Sequence, residues 1–279
     1  MGRMLVALAL LVASTAPAHA GVVLLGSEHA PEHKEALDAA RATAPSFSFA
    51  DEDSPDAAEQ LRHADVILAV GTRAFTMART LAPDTPLVYA MVPAAEAQAG
   101  KGITGVALEV PAYAELAQWK QLRYDGTRVA LVQEKASPVT DAAKAAAALG
   151  LTLIVRAVEP ARVEAAIDEL AAKVDAVWVP GTLPSAAAAR WSARVAILGG
   201  NDKATAAGAL FSLAPDAGDI GRRAARLALG LAGRAPADRL AVPPAATSPG
   251  ALTLNARSAA ALGLELPDPI VHKARKIYR

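Results

Sequence analysis

DVILAVGTRAFTMA, residues 65–78, joins an apolar run to a helical pattern through a single Gly-Thr turn. The run at residues 65–70 is typical of a buried strand, and Gly71-Thr72 ends it abruptly. The N–H groups in the first turn of a helix have no intrahelical partner and form the positive end of its dipole. This corner therefore predicts either a plain connection, in which Thr72 caps the helix, or a seat for an anionic ligand.

Short apolar runs alternate with Ala-rich helical stretches along nearly the whole chain. The runs that predict strands are GVVLLG (21–26), DVILAVG (65–71), PLVYAMV (86–92), GITGVALE (102–109), RVALVQ (128–133), LTLIVRAV (151–158), DAVWVP (175–180), RVAILGG (194–200) and GALFSL (208–213). Continuous apolar strands separated by helices indicate parallel sheets covered on both faces. The expected fold class is therefore α/β.

The alternating pattern runs twice, which predicts two Rossmann-like lobes joined by a hinge. The first lobe covers residues 21–122, with residues 216–236 as a candidate completion, and the second covers residues 123–215. A C-terminal segment, residues 237–279, returns over the lobes. Ligands of open α/β sheets bind beyond the carboxyl ends of the strands, so we expect the site in a cleft between the lobes.

The first twenty residues have the pattern of a secretory signal peptide. A basic Arg3 precedes an apolar run of about ten residues, too short for a membrane helix of roughly twenty, and Ala18-x-Ala20 suits a signal peptidase. No cysteine follows the run, so no lipid anchor is expected. The predicted location of the mature chain is the periplasm.

The composition argues against several classes of function. The sequence contains no cysteine, so disulfides, thiol nucleophiles and cysteine metal sites are excluded. Its 28 basic and 28 acidic residues balance without a block of like charge, which disfavours nucleic acid as a partner. It has no G-x-S-x-G elbow, phosphate loop or dinucleotide fingerprint, so we expect no enzyme.

Several stretches resemble one known family. They are VDAVWVPGTLPS (174–185), AGALFSL (207–213), DIGRRAA (219–225) and NARSAAALGLELP (255–267). In these stretches the chain is similar to the tryptophan/tyrosine-type periplasmic solute-binding proteins of ABC importers, which have the type I periplasmic-binding fold. The resemblance implies a protein without catalysis or cofactor, which closes on a small carboxylate-bearing, amino acid-like ligand and delivers it to permease subunits in the inner membrane.

The resemblance also implies which loops line the cleft. The expected ligand-binding residues are Ser27, Glu28, Gly71, Thr72, Met91 and Val92 from the first lobe, and Glu134, Ser137, Gly181, Thr182, Asn201 and Asp202 from the second. Thr72 is the candidate for the ligand carboxylate. Glu134 or Asp202 would receive a ligand ammonium group.

Two alternatives remain open at the level of sequence. His29 and His33, with Glu28 and Glu32 beside them, have a spacing that metal ligands use, although PEHKE also suits the first turn of a helix. Many loops are short and few aromatic residues fall in them, which is compatible with an interaction module on a degenerate binding-protein scaffold. In that case the chain would serve a periplasmic protein partner and transport nothing.

Overall fold

Two mostly parallel β-sheets, each covered by helices on both faces, make up the fold. The computed structural model describes residues 21–93, 100–123, 125–134, 139–180, 185–199 and 201–279, apart from the side chains of residues 134 and 185–187. The predicted signal peptide, residues 1–20, lies outside the described residues. Among the described residues, no helix is long and apolar enough to cross a membrane.

Nine of the strands overlap the nine apolar runs that the sequence predicts. They are β1 (Val22–Gly26), β2 (Ser48–Asp51), β3 (Val66–Val70), β4 (Leu87–Val92), β5 (Ile103–Ala107), β6 (Arg128–Glu134), β7 (Thr152–Val158), β8 (Ala176–Val179), β9 (Ala196–Gly199), β10 (Phe211–Ala214), β11 (Ala246–Thr247), β12 (Ala251–Asn255) and β13 (Lys276–Tyr278). The sequence pattern missed β2, β11, β12 and β13.

The helices lie between the strands. They are α1 (Pro31–Thr43), α2 (Ala57–Arg62), α3 (Thr72–Leu81), α4 (Ala112–Leu122), α5 (Thr140–Ala148), α6 (Val163–Leu170), α7 (Ser185–Trp191), α8 (Asp202–Ala207), α9 (Ala217–Ala232), α10 (Ala256–Ala261) and α11 (Asp268–Lys273). Most follow a strand directly, as in a βαβ unit.

The first sheet has six parallel strands in the order β11-β5-β4-β3-β1-β2. Alternate residues of each strand point to opposite sides of the sheet. Both sets are apolar, so both faces of the sheet are apolar. Val22 and Leu24 pack on the side of α1 and α9, whereas Val23 and Leu25 pack on the side of α2 and α3. The sheet, buried on both faces, holds the carboxyl ends of its central strands at one edge.

The second sheet has seven strands in the order β13-β12-β10-β9-β8-β6-β7, and only the β10–β12 pair is antiparallel. Leu116, Trp119 and Leu122 of α4 belong to the core on one face of this sheet. The chain therefore leaves the first sheet at residues 108–111, earlier than the predicted boundary at residue 122. We propose lobe bounds of 21–107 with 217–247, and 112–214 with 251–279.

Three segments connect the lobes, at residues 108–111, 215–216 and 248–250. They meet at Gly250, whose φ is +79° and whose α carbon is closely surrounded: a methyl group there would lie 2.8 Å from Val110 Cγ2 and 2.9 Å from the Ala214 carbonyl oxygen. Nearby, the Ser248 hydroxyl donates to the Asp219 carboxylate at 2.8 Å. These contacts tie the third segment to the first segment, to the end of β10 and to α9. We call the three segments together the hinge.

Candidate functional site

The carboxyl ends of β1, β3 and β4 lie side by side because the order β4-β3-β1 places these strands next to one another. Ser27 follows β1, Gly71 follows β3, and Met91 and Val92 end β4. The Gly71 N–H donates to the Ala90 carbonyl at 2.9 Å and joins two of these ends directly. Four of the first-lobe candidates therefore lie at one edge of the sheet, where strands end: Ser27, Gly71, Met91 and Val92. The other two, Glu28 and Thr72, are the next residues along the chain after Ser27 and Gly71.

Gly71 is the N-cap residue of α3, and Thr72 is the first residue of the helix. No side chain caps α3, so the interpretation of Thr72 as a helix cap is wrong. Gly71 has φ of +93°, and a methyl group there would lie 2.6 Å from Cε1 of His33. Any side chain at position 71 would be strained and would collide with the His33 imidazole. The start of α3 therefore presents backbone N–H groups without a side-chain cap, and the Thr72 hydroxyl belongs to the same turn.

Met91 is the only non-glycine residue of the described chain with a positive φ, which is +57°. It lies where the β4–β5 register shifts between Tyr89 and Val92, and it is 9% exposed. A left-handed conformation costs a non-glycine residue on the order of 1–3 kcal/mol and tends to occur at functional sites. Here it bends the end of β4 at the same edge as Gly71.

The charged residues after β1 already have partners. The Arg41 guanidinium donates to Glu28 Oε1 at 2.6 Å, and Lys34 Nζ lies 3.8 Å from Glu28 Oε2. Ser27 is 6% exposed, and its hydroxyl oxygen accepts a 3.3 Å hydrogen bond from the His29 N–H. Glu28 is thus held on the surface of α1, whereas Ser27 fixes the turn that leads into it.

His29 and His33 have different surroundings. His29 Nε2 lies 3.5 Å from Asp53 Oδ2, and His33 packs against Gly71. Arg73 pairs with the same Asp53 at 2.6 Å, so His29 and Arg73 meet at the end of β2. Within the described ranges, no three His, Asp or Glu residues are grouped as metal ligands would be. His29 thus lies beside the Asp53–Arg73 ion pair, and His33 covers Gly71.

In the second lobe, Asn201 and Asp202 open α8 at the carboxyl end of β9. Asn201 Oδ1 accepts from the Ala204 N–H at 3.0 Å and caps the helix. Asp202 Oδ1 accepts from the Thr253 hydroxyl at 2.8 Å, and Oδ2 lies 3.9 Å from Arg275. Both side chains thus have partners within their own lobe.

The remaining second-lobe candidates cannot be located as fully. Glu134 is the last residue of β6, but its side chain lies outside the described part of the chain. Ser137, Gly181 and Thr182 lie outside the described residues altogether. Their roles stay predictions.

Glu115 is a buried carboxyl group that the sequence analysis did not select. It is 6% exposed, and Oε2 accepts from Trp178 Nε1 at 2.9 Å. A methyl group on Gly199, the last residue of β9, would lie 3.1 Å from Glu115 Oε1. Burial raises the pKa of Glu115 to about 7, and the Trp178 hydrogen bond opposes this shift only in part. The carboxyl group therefore lies against the cleft-side end of the second sheet.

The sequence did contain a signal for Glu115. Residue 115 precedes Trp119 by four positions and Leu122 by seven, so all three lie on the same face of α4. A glutamate on the apolar face of a helix is expected to be buried. What it would contact there depends on the packing of α4 on the second sheet.

The sequence matches no family model and no curated protein. Solved structures similar to the chain include a ligand-free, open substrate binding protein with adhesive properties from Clostridium difficile. It is 16% identical, with a TM-score of 0.67, and the match covers 92% of this chain and 99% of that one. The chain has the type I periplasmic-binding fold.

Two further structures with this fold are similar at lower scores. An ABC domain from Streptococcus pneumonia in complex with L-Trp is 18% identical, with coverage of 92% and 99% and a TM-score of 0.50. A periplasmic ribose ABC transporter from Conexibacter woesei is 15% identical, with coverage of 85% and 93% and a TM-score of 0.51. The predicted α/β fold with two Rossmann-like lobes and parallel sheets is thereby confirmed.

Proposed function

We propose that this chain is a periplasmic solute-binding protein of an ABC importer, which captures an amino acid-like ligand between its lobes and is not an enzyme. The observation that carries the proposal is the edge formed by Ser27, the Gly71-Thr72 corner and Met91 on three adjacent strands. Substrate-binding proteins of ABC transporters are among the structures that share the fold, one of them in complex with L-Trp.

The start of α3 suits a carboxylate. The N–H groups of its first turn lack intrahelical partners, and no side chain occupies that position as a cap. Gly71 adds no side chain beside these groups, and the half-buried Thr72 can add a hydroxyl donor. The helix dipole favours a negative charge at this end. We therefore assign the ligand carboxylate to this corner.

Closure of the lobes would bury the rest of the ligand. The three segments at residues 108–111, 215–216 and 248–250 allow the sheets to rotate as rigid bodies. A ligand that contacts both edges binds the closed form better and shifts the population towards it. In the closed form, the two lobes would together present the surface that a permease recognises.

Ligand binding is tested by thermal unfolding in the presence of L-Trp, L-Tyr, branched-chain amino acids and ribose. A ligand at about one hundred times its dissociation constant stabilises a protein by roughly 2.7 kcal/mol. We expect Thr72→Ala to weaken binding about tenfold, because one hydrogen bond to a charged group is lost. Thr76→Ala, an exposed position one turn further along α3, is the matched control and should bind normally.

The alternative is a non-transport interaction module on the same scaffold. Three predicted ligand-binding side chains, Glu28, Asn201 and Asp202, form hydrogen bonds within their own lobes. A ligand would have to compete with these hydrogen bonds, which favours the alternative. A relative in fold is described as having adhesive properties. If no small solute stabilises the chain and a periplasmic protein is retained specifically by it, the transport proposal fails.

A further inference from the structure

An open cavity of about 540 Å³ lies beside the hinge. None of the residues assigned to the cleft lines it, although its lining residue Ala107 pairs with Val92 in the β4–β5 ladder. Its walls come from the ends of β5 and β11 (Ala107, Thr247), the first connecting segment (109–111), the start of α4 with Tyr113, and one side of α5 (Ala145, Ala148). Small-molecule sites in proteins have volumes of about 300–1,000 Å³. The cavity is thus large enough for a ligand of one or two rings.

Most of the lining is apolar, and its charged groups lie in solvent. They are the exposed Glu109 and the pair Asp141 and Lys144 on α5. Asp141 and Lys144 lie 4.0 Å apart, and their side chains are 91% and 76% exposed. A charged ligand would lose part of its hydration against the apolar lining without gaining a desolvated counter-charge. The lining therefore favours a neutral ligand.

Tyr113 adds an aromatic wall with a hydroxyl group. It is 54% exposed, the most exposed large hydrophobic residue of the described chain. Aromatic rings gain from contact with another ring, and a tyrosine hydroxyl can pair with one polar atom of a ligand. We propose that the hinge cavity binds a neutral, ring-sized apolar molecule with a single polar group, of the indole or phenol class.

The position of the cavity gives such a ligand contact with both lobes. Ala107 and Thr247 belong to the first sheet, whereas Ala145 and Ala148 lie on a helix of the second. A rotation at the hinge changes the distance between these walls. The molecule is therefore bound at one hinge angle in preference to others.

The probe is indole, titrated by isothermal calorimetry, with the anion indole-3-acetate as the charged comparison. Ala148→Phe should fill the cavity, and because Ala148 is exposed the substitution should leave the fold intact. Ala147→Phe, at a position that is also exposed on α5 but is not part of the lining, is the matched control. We expect indole to bind at least about tenfold more weakly to Ala148→Phe, normally to Ala147→Phe, and more tightly than indole-3-acetate to the unmodified chain.

Two further variants distinguish indole bound in the hinge cavity from indole bound at the cleft. Tyr113→Ala removes a wall without adding bulk and should also weaken indole binding, whereas Thr72→Ala at the cleft should not. Indole affinity that is equal in Ala148→Phe and the unmodified chain, or lost in Thr72→Ala, would overturn the proposal, and so would the absence of saturable binding. Because these readouts do not depend on a cleft ligand, the hinge cavity and the proposed transport function can fail separately.

Discussion

Replacing Glu115 by Gln should stabilise the protein at alkaline pH. The carboxyl group is 6% exposed, and its hydrogen-bond partner, Trp178 Nε1, is neutral. Glutamine has nearly the same shape, and its amide oxygen can accept the same hydrogen bond from Trp178. The substitution therefore removes only the ability to carry a buried negative charge.

The magnitude follows from the pKa of Glu115, which burial raises from 4.5 to about 7 in the folded protein. A raised carboxyl pKa means that the folded state holds its proton more tightly than the unfolded state does. Stability is consequently lost as the pH rises from about 4.5 to 7, and the full loss of about 3 kcal/mol is present above that range. Glu115→Gln should recover up to this amount at pH 8 and nothing at pH 4.

Urea unfolding at several pH values between 4 and 8 measures the effect. The difference in unfolding free energy between the variant and the unmodified chain should grow across the window from about pH 4.5 to 7, as the carboxyl group ionises. Glu265→Gln, at an exposed position, serves as the control and should show no such growth. A difference independent of pH, or a variant less stable at pH 8, would refute the argument that Glu115 is buried without a counter-charge.

Three other substitutions test the corner, the hinge and a buried cap. Gly71→Ala should lower the free energy of unfolding by about 1–3 kcal/mol and abolish ligand binding in the cleft. The reason is that the positive φ and the His33 imidazole both oppose a methyl group. Unchanged stability in urea unfolding would contradict this. Gly250→Ala should cost a similar amount and narrow the hinge motion seen by small-angle scattering, since the methyl group meets Val110. Asn255→Ala should lower unfolding free energy by about 2 kcal/mol, because it removes a helix cap and a buried hydrogen bond at once.

Much of the fold followed from the sequence because buried parallel strands are short, continuous apolar runs. That rule located VILAV (66–70) and its eight counterparts, and it put Gly71 at the carboxyl edge of a sheet. It failed for β12, which pairs antiparallel with β10 through contacts distant in the chain. It also could not assign α4 to a sheet, because the apolar face of a helix does not identify the surface that covers it.

The candidate site was less predictable because partners decide what a polar side chain does. Asp202 follows a strand end, as a ligand residue would, but its carboxylate accepts from Thr253 in a strand 51 residues later. Glu115 was not among the predicted site residues, yet tertiary contacts bring it against Gly199. In both cases the decisive neighbour is remote in sequence, so spacing alone could not reveal it.

Backbone strain offers an argument for function at the first-lobe edge that does not depend on any relative. A connection between a strand and a helix can be made without positive φ, and where it is needed glycine adopts it at little cost, as at Gly71. Met91 adopts it without that freedom, next to a register shift at the end of β4. Its side chain packs in the core that the first sheet forms with α1 and α9, and this burial offsets part of the strain. The strained backbone at the carboxyl edge, beside the start of α3, leads us to propose that Met91 also shapes the floor on which a ligand rests.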